Sequence, residues 1–216
     1  IRDRSDTYNP FEKQLCITKQ ALDLISENHF GVSIDTKSSL VVRDIPILQK
    51  IKKNNSAIVK LTITTANDEL SKKIEPYVNP SSVRFDAVKE LNDSGIFCGI
   101  LLTPMLPFLT DNKDEIRAIV EKAHKANAKF IYCMYGVTMR SGQREFFYEH
   151  LRDISPKLVL KYQKTYGLNY VCTVQNKDCC EKLLREECAC YGILMDMKEI
   201  IKAYKRSESY TQIKFF

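Results

Sequence analysis

The chain has 216 residues, of which 44% are hydrophobic and 28% charged. That composition excludes a disordered or low-complexity segment, and the length suits one domain with a sizeable core. The net charge of +6 leans toward an anionic partner such as nucleic acid or nucleotide, but residues 140–216 mix 14 Lys+Arg with 10 Asp+Glu, so a solvated face accounts for it equally well.

No uninterrupted apolar run is long enough to span a bilayer. The charged start Ile1-Arg2-Asp3-Arg4 is not a secretory signal. Ser5-Asp6-Thr7-Tyr8-Asn9-Pro10 reads as a polar loop. Residues 11–28 read as a helix with Leu15, Thr18, Leu22 and Ile25 on one stripe. A short strand over 31–36 runs into the polar turn Thr36-Lys37-Ser38-Ser39. Asp44 is placed to cap a helix over 44–54 that carries Ile45, Leu48 and Ile51. Residues 57–65 read as a strand apolar on both faces until Thr62-Ile63-Thr64-Thr65, the mark of a parallel sheet covered by helices. A short helix begins at Asn67 and stops before Pro76. Another opens at Pro80, carries Val83, Ala87, Val88 and Leu91, and stops at Gly95.

The third strand, over 96–105, is ended by Pro104. Asp111 caps a long helix to Ala126, with Ile116, Ile119, Val120 and Ala123 facing inward. Residues 129–137 form a fourth strand that leads to Thr138, Arg140 and Ser141. After Gly142 the pattern reads as helices only, over 145–154, 157–166 and 177–191, with a further helix and loose end over 197–216. The alternation predicts an α/β fold with parallel strands at 31–36, 57–64, 97–104 and 129–136, open or curled into a barrel. Residues 1–142 form that unit, and 143–216 a helical C-terminal extension packed on it.

The first strand reads as entered near its end, so an N-terminal part of the domain is expected to be missing. The strand over 31–36 and the stub before Ser5 would then be an open edge. A second copy, giving a homodimer, a swap of the stub, or the tail with Ile200, Ile201, Tyr204, Tyr210, Ile213, Phe215 and Phe216 is expected to cover it; a disordered tail is the alternative.

Of eight cysteines, Cys98 and Cys133 lie in apolar strand-like runs and pack as small hydrophobes. No pair has C-x2-C spacing. Cys188 and Cys190 point to nearly opposite sides of one helix, so a metal site among the clustered Cys179, Cys180, Cys188 and Cys190 is a minor reading. Free thiols suggest a reducing, cytoplasmic setting. His29, His124 and His150 fall on helices or their ends and read as surface residues.

A parallel sheet puts its strand carboxyl ends on one rim. Here the rim gathers Ser5 and Asp6, Thr36 and Lys37, Thr62 and Thr64, and Thr103 with Pro104. One ammonium, one carboxylate and several hydroxyls suit a zwitterionic amino acid carrying a ribose. No histidine joins the set, and no Gly-rich phosphate loop, HExxH or GxSxG is present.

Ser5-Asp6-Thr7-Tyr8-Asn9-Pro10-Phe11-Glu12 resembles a loop of the radical S-adenosylmethionine superfamily, in the branch related to spore photoproduct lyase and often labelled DNA repair photolyase. The resemblance continues through Thr36-Lys37-Ser38 with Arg43-Asp44, Thr62-Ile63-Thr64-Thr65, Glu75-Pro76, Arg84-Phe85-Asp86-Ala87 and Gly99-Ile100-Leu101-Leu102-Thr103-Pro104-Met105. It implies a partial (β/α)6 TIM-like barrel that binds S-adenosylmethionine beside a [4Fe-4S] cluster. Such an enzyme cleaves the cofactor reductively to a 5'-deoxyadenosyl radical, here with nucleic acid as the suggested substrate. By resemblance Lys37 meets the methionine carboxylate, Ser5 and Asp6 the amino-acid end, Thr62 carboxylate or ribose, and Thr103 the adenosine. Thr64 belongs to the same rim. Arg84 either braces the site or is a surface helix charge.

The family's C-x3-C-x2-C cluster loop has no match among the eight cysteines. The chain as given is therefore expected to keep the S-adenosylmethionine wall without the cluster ligands, and to be inactive alone. A cluster-free module that binds nucleic acid, or another (β/α) ligand-binding domain with a phosphate site, is the competing reading.

Overall fold

The computed structural model describes residues 6–205. Ser5 and the stub before it lie outside the described residues, as do Tyr210, Ile213, Phe215 and Phe216 of the tail. Two short helices, α1 (Glu12–Leu15) and α2 (Ile17–Glu27), precede β1 (Val32–Thr36). A 3-10 turn (Ser39–Asp44) runs directly into α3 (Ile45–Asn54). Then follow β2 (Ala57–Thr62), α4 (Asp68–Ile74), α5 (Ser81–Asp93), β3 (Phe97–Leu102), α6 (Lys113–Lys125) and β4 (Ile131–Cys133).

The four strands form one sheet in the order β1-β2-β3-β4, and every neighbouring pair is parallel, as the alternation predicts. The sheet is open, with β1 paired only to β2 among the described residues. Side chains alternate between its faces. Val59, Leu61, Cys98, Ile100, Leu102 and Ile131 join the buried core with the inward stripes of α3, α5 and α6. Ile58 and Phe130 look the other way, into a separate cluster. Lys60 shares that second face and pairs with Asp35, so β2 is not apolar on both faces as its sequence suggests. Gly99 sits where a Cβ would collide with the Phe130 ring, which explains a glycine in mid-strand.

Two expected caps differ. Asn112, not Asp111, caps α6 through Glu115 N at 3.0 Å. Asp44 stands at the start of α3 without capping it, because its buried carboxylate is engaged by Arg43 and Tyr8.

The region after Gly142 is not helical throughout. β5 (Gly136–Thr138) pairs antiparallel with β6 (Val171–Thr173), and α7 (Gln143–Ile154) and α8 (Pro156–Tyr166) lie between them. α9 (Lys177–Cys190) packs back on the core through Cys180, Leu184 and Cys188, while Cys190 is exposed. Residue Leu194 then bridges Phe130 in parallel: Ile131 N donates to Leu194 O at 2.9 Å, and Leu194 N to Lys129 O at 3.1 Å. The α/β rhythm thus resumes on the far side of β4. α10 (Met197–Tyr204) follows, its Ile200 and Tyr204 packing on Ile58, Phe97 and Phe130. No helix among the described residues is long and apolar enough to cross a membrane.

Candidate functional site at the sheet rim

The loop after β1 is fixed first. The Asp6 carboxylate accepts from Thr36 Oγ1 (2.7 Å), Tyr8 N (2.9 Å) and Lys37 N (2.7 Å), which ties the entering chain to the end of β1. Asp6 therefore acts here as a clasp on the Lys37 backbone. Behind it lies an ionic hub. Arg43 grips Asp44 with Nε and Nη2, both at 2.8 Å, and reaches Glu12 Oε1 at 2.7 Å. Tyr8 OH donates to Asp44 at 3.1 Å. Glu12 also accepts from Thr18 N at 2.8 Å, near the start of α2. Burial, then the neighbouring Asp44 carboxylate, raises the Tyr8 phenol well above its ordinary value. Burial works to raise Glu12, but the backbone N–H of Thr18 and the Arg43 guanidinium hold it below the usual carboxylate range.

The Lys37 side chain, 39% exposed, reaches Glu75 Oε1 at 2.6 Å. Glu75 Oε2 meets Arg84 Nη2 at 2.8 Å and Thr64 Oγ1 at 3.2 Å. Arg84 is wholly buried and is not a surface helix charge. It also donates to Thr62 O (2.8 Å), Asn79 O (2.7 Å) and Ser71 Oγ (3.3 Å), so one guanidinium fastens α5 to the end of β2 and to α4. Burial pushes the Glu75 carboxyl upward, yet the charges of Lys37 and Arg84 hold it below the ordinary carboxylate range.

Lys37, Thr64, Glu75 and Pro104 line a cleft at the carboxyl rim. Its opposite wall is α7 with Phe147, His150, Leu151 and Ile154. Of the rim residues read from the sequence, Lys37 and Thr64 line this cleft. Thr62 lies buried below it, contributing its carbonyl to Arg84. Thr103 is half-buried beside Pro104 and is not part of the lining, and Asp6 is spent on its clasp. Glu75 and His150, given no site role from the sequence, also line the cleft. Glu75 arrives from the end of α4; in the sequence it was marked by the helix stop before Pro76 and by the Glu75-Pro76 match to the family. His150, read as a surface residue, is half-buried in the cleft wall, because α7 folds back over the rim.

No protein-family model matches the chain. An uncharacterised protein of Mycobacterium tuberculosis is 22% identical over 162 residues, covering 75% of this chain and 47% of that protein. An uncharacterised protein of Methanocaldococcus jannaschii is 38% identical over 107 residues, covering 50% of this chain and 40% of that protein. The chain spans about half the length of the curated relatives it matches. Among solved structures, a spore photoproduct lyase variant superposes with a TM-score of 0.55 at 12% identity, over 82% of this chain and 54% of that one. Another variant of that enzyme, with bound AdoMet (S-adenosylmethionine) and dinucleoside spore photoproduct, gives a TM-score of 0.54 at 12% identity, over 84% and 55%. The chain has the fold of the corresponding part of spore photoproduct lyase, so the resemblance read from the sequence is borne out at the level of fold. Among the described residues the sheet is not closed into a barrel.

Proposed function

We propose that this chain is the S-adenosylmethionine-binding wall of a radical S-adenosylmethionine enzyme. The observation that carries the reading is the Lys37–Glu75–Arg84 array at the carboxyl rim of a parallel sheet, in a fold shared with an enzyme solved with AdoMet bound. The donor set fits the cofactor's amino-acid end. Lys37 offers an accessible ammonium for the carboxylate, and Glu75 offers an acidic oxygen for the amino group. Arg84 and Thr64 keep Glu75 ionised and aimed, and Asp6 fixes the backbone from which Lys37 projects. Thr62, Thr103 and Ser5 are assigned to the ribose, adenosine and amino-acid ends by resemblance alone.

Among the described residues no group of three or more His, Cys, Asp or Glu side chains is placed to hold a metal. They do not fit a [4Fe-4S] cluster and are assigned only the binding and orienting of S-adenosylmethionine. Radical formation, lyase chemistry and action on nucleic acid belong to the proposal for the whole protein, with cluster ligands other than the described residues. The bound dinucleoside in the related enzyme and the positive net charge support a nucleic-acid substrate.

The test is calorimetric titration of S-adenosylmethionine. Lys37→Ala is expected to weaken binding by about tenfold or more, since a charge-assisted hydrogen bond is lost. Unchanged affinity would remove Lys37 from the site.

The outer edge of β1, without a strand partner among the described residues, supports a second, independent element of the proposal, self-association through that edge. Sedimentation velocity is expected to give a concentration-dependent dimer. A monomer at all concentrations would defeat it.

A further inference from the structure

A second cavity, of about 380 Å³, lies at the other end of the sheet. Of its lining residues, Ala57 opens β2, Phe97 opens β3 and Lys129 stands just before β4, so the cavity sits at the amino ends of the strands. In a parallel sheet that is the end away from the rim. The rim cleft and this cavity share no lining residue. Three parts of the chain far apart in sequence meet around it: the last turn of α3 at Lys52, the entries to β2 and β3, and the last turn of α10 at Ala203 and Tyr204.

The apolar wall is aromatic. The Phe97 ring stacks on Phe130 with centroids 5.6 Å apart and meets the Tyr204 ring at 6.1 Å. The charged groups of the lining are both positive. Lys52 and Lys129 line the cavity, and no carboxylate among the described residues does. An ammonium has three N–H donors, and each of these gives one to a neutral oxygen: Lys52 Nζ to Gly95 O at 2.5 Å, Lys129 Nζ to Asn127 Oδ1 at 2.7 Å. The Asp93 carboxylate, next in sequence to the lining residue Asn92, pairs with Lys89 instead. A cation in the last turn of α3 suits that helix end whatever lies beside it. Lys129 belongs to no helix, yet it sets a second ammonium on the same aromatic pocket. Rings beside uncompensated positive charge select an anion with a flat apolar body.

We propose that this cavity is a binding site for a small aromatic anion, separate from the rim. The flat body lies against Phe97 and Tyr204, and the anionic group faces the remaining N–H donors of Lys52 and Lys129. An occupant so placed touches α3, β3 and α10 at once and holds the last turn of α10 onto the sheet. Nothing here rests on the S-adenosylmethionine reading of the rim, and binding is measured without that cofactor, so either reading can fail alone.

The experiment titrates 2-naphthalenesulfonate into the 216-residue protein by calorimetry, with 2-naphthalenesulfonamide as the uncharged control. The sulfonate is expected to bind about tenfold or more tightly than the sulfonamide, the scale of one charge-assisted hydrogen bond. A double variant, Lys52→Gln with Lys129→Gln, should bring the sulfonate down to the affinity of the sulfonamide with an unchanged melting temperature. Tyr204→Leu should weaken both compounds, and Lys37→Ala neither. Amide exchange over Lys202–Tyr204 should slow when the sulfonate is bound to the native protein. Equal binding of the two compounds overturns the proposal, as does no binding at millimolar concentration or a charge preference that survives in the double variant. Loss of binding in Lys37→Ala, or displacement by S-adenosylmethionine, puts the anion at the rim and overturns a separate site. Unchanged exchange over Lys202–Tyr204 in the bound protein overturns the hold on α10.

Discussion

Arg84 carries more of the site than any other single side chain. It is wholly buried and spans Glu75, Thr62 O, Asn79 O and Ser71 Oγ. Arg84→Met would leave the carbonyls of Thr62 and Asn79 without this donor and the Glu75 carboxylate with only Lys37 and Thr64, and is expected to cost about 3 kcal/mol in urea denaturation. Glu75 adds a pH dependence. Its folded pKa is lowered, so its contribution is full above the unfolded value and is lost as pH falls through the folded one. Stability should therefore decline on the acid side of the ordinary carboxylate range, and Glu75→Gln should flatten that part of the acid limb. An acid limb identical in the variant would show that Glu75 is not the group responsible. Lys37 and Thr64 were legible because each follows a strand whose end was already marked by a polar run. Glu75 and His150 were not, because their places at the rim depend on how α4 and α7 pack, which no local pattern encodes.

At the level of elements, periodicity located the long pieces and missed the short ones. Strands β1 to β3 and helices α3, α5 and α6 carry enough turns or alternations to declare themselves, whereas β4, expected over 129–136, is only Ile131–Cys133 and was read from the apolar run around it. β5 and β6 are three residues each, and the segment at Leu194 is a single bridge, too short for any period. Yet a signal was present. Gly95 follows α5 at a φ of 81°, and Ile96 N bonds back to Leu91 O. Gly192 follows α9 at a φ of 68°, and Ile193 N bonds back to Cys188 O. The same helix stop hands the chain to the sheet both times. Leu194→Pro would delete the N–H donated to Lys129 O and is expected to cost about 1–3 kcal/mol. Hydrogen exchange should quicken at Ile131, whose amide bonds to the Leu194 carbonyl. Unaltered protection there would mean that the bridge contributes nothing to the sheet.

For the molecule as a whole, the two faces of the sheet are sealed by different parts of the chain. One is covered by α3, α5 and α6, which alternate with the strands. On the other, Ile58, Phe97 and Phe130 are covered by Ile200 and Tyr204 of α10. Ile200→Asp would place a charge in that cluster; a stability loss of about 3 kcal/mol or more and increased binding of an apolar dye are expected. A variant as stable as the native protein would show that α10 does not hold that face closed.

The bridge between Phe130 and Leu194 also sets an order of events. Strands β1 to β4 leave the ribosome together, and all their pairings are available early. The backbone of Lys129 and Ile131 on the far side of β4 finds its partner only after α7, α8 and α9 have been made. Until then a nascent chain carries an open strand edge beside the uncovered rings of Phe97 and Phe130, the kind of surface that nucleates wrong association. Among the described residues the Phe130–Leu194 bridge is the strand contact most distant in sequence, so it is the last of the sheet's pairings to become available as the chain emerges.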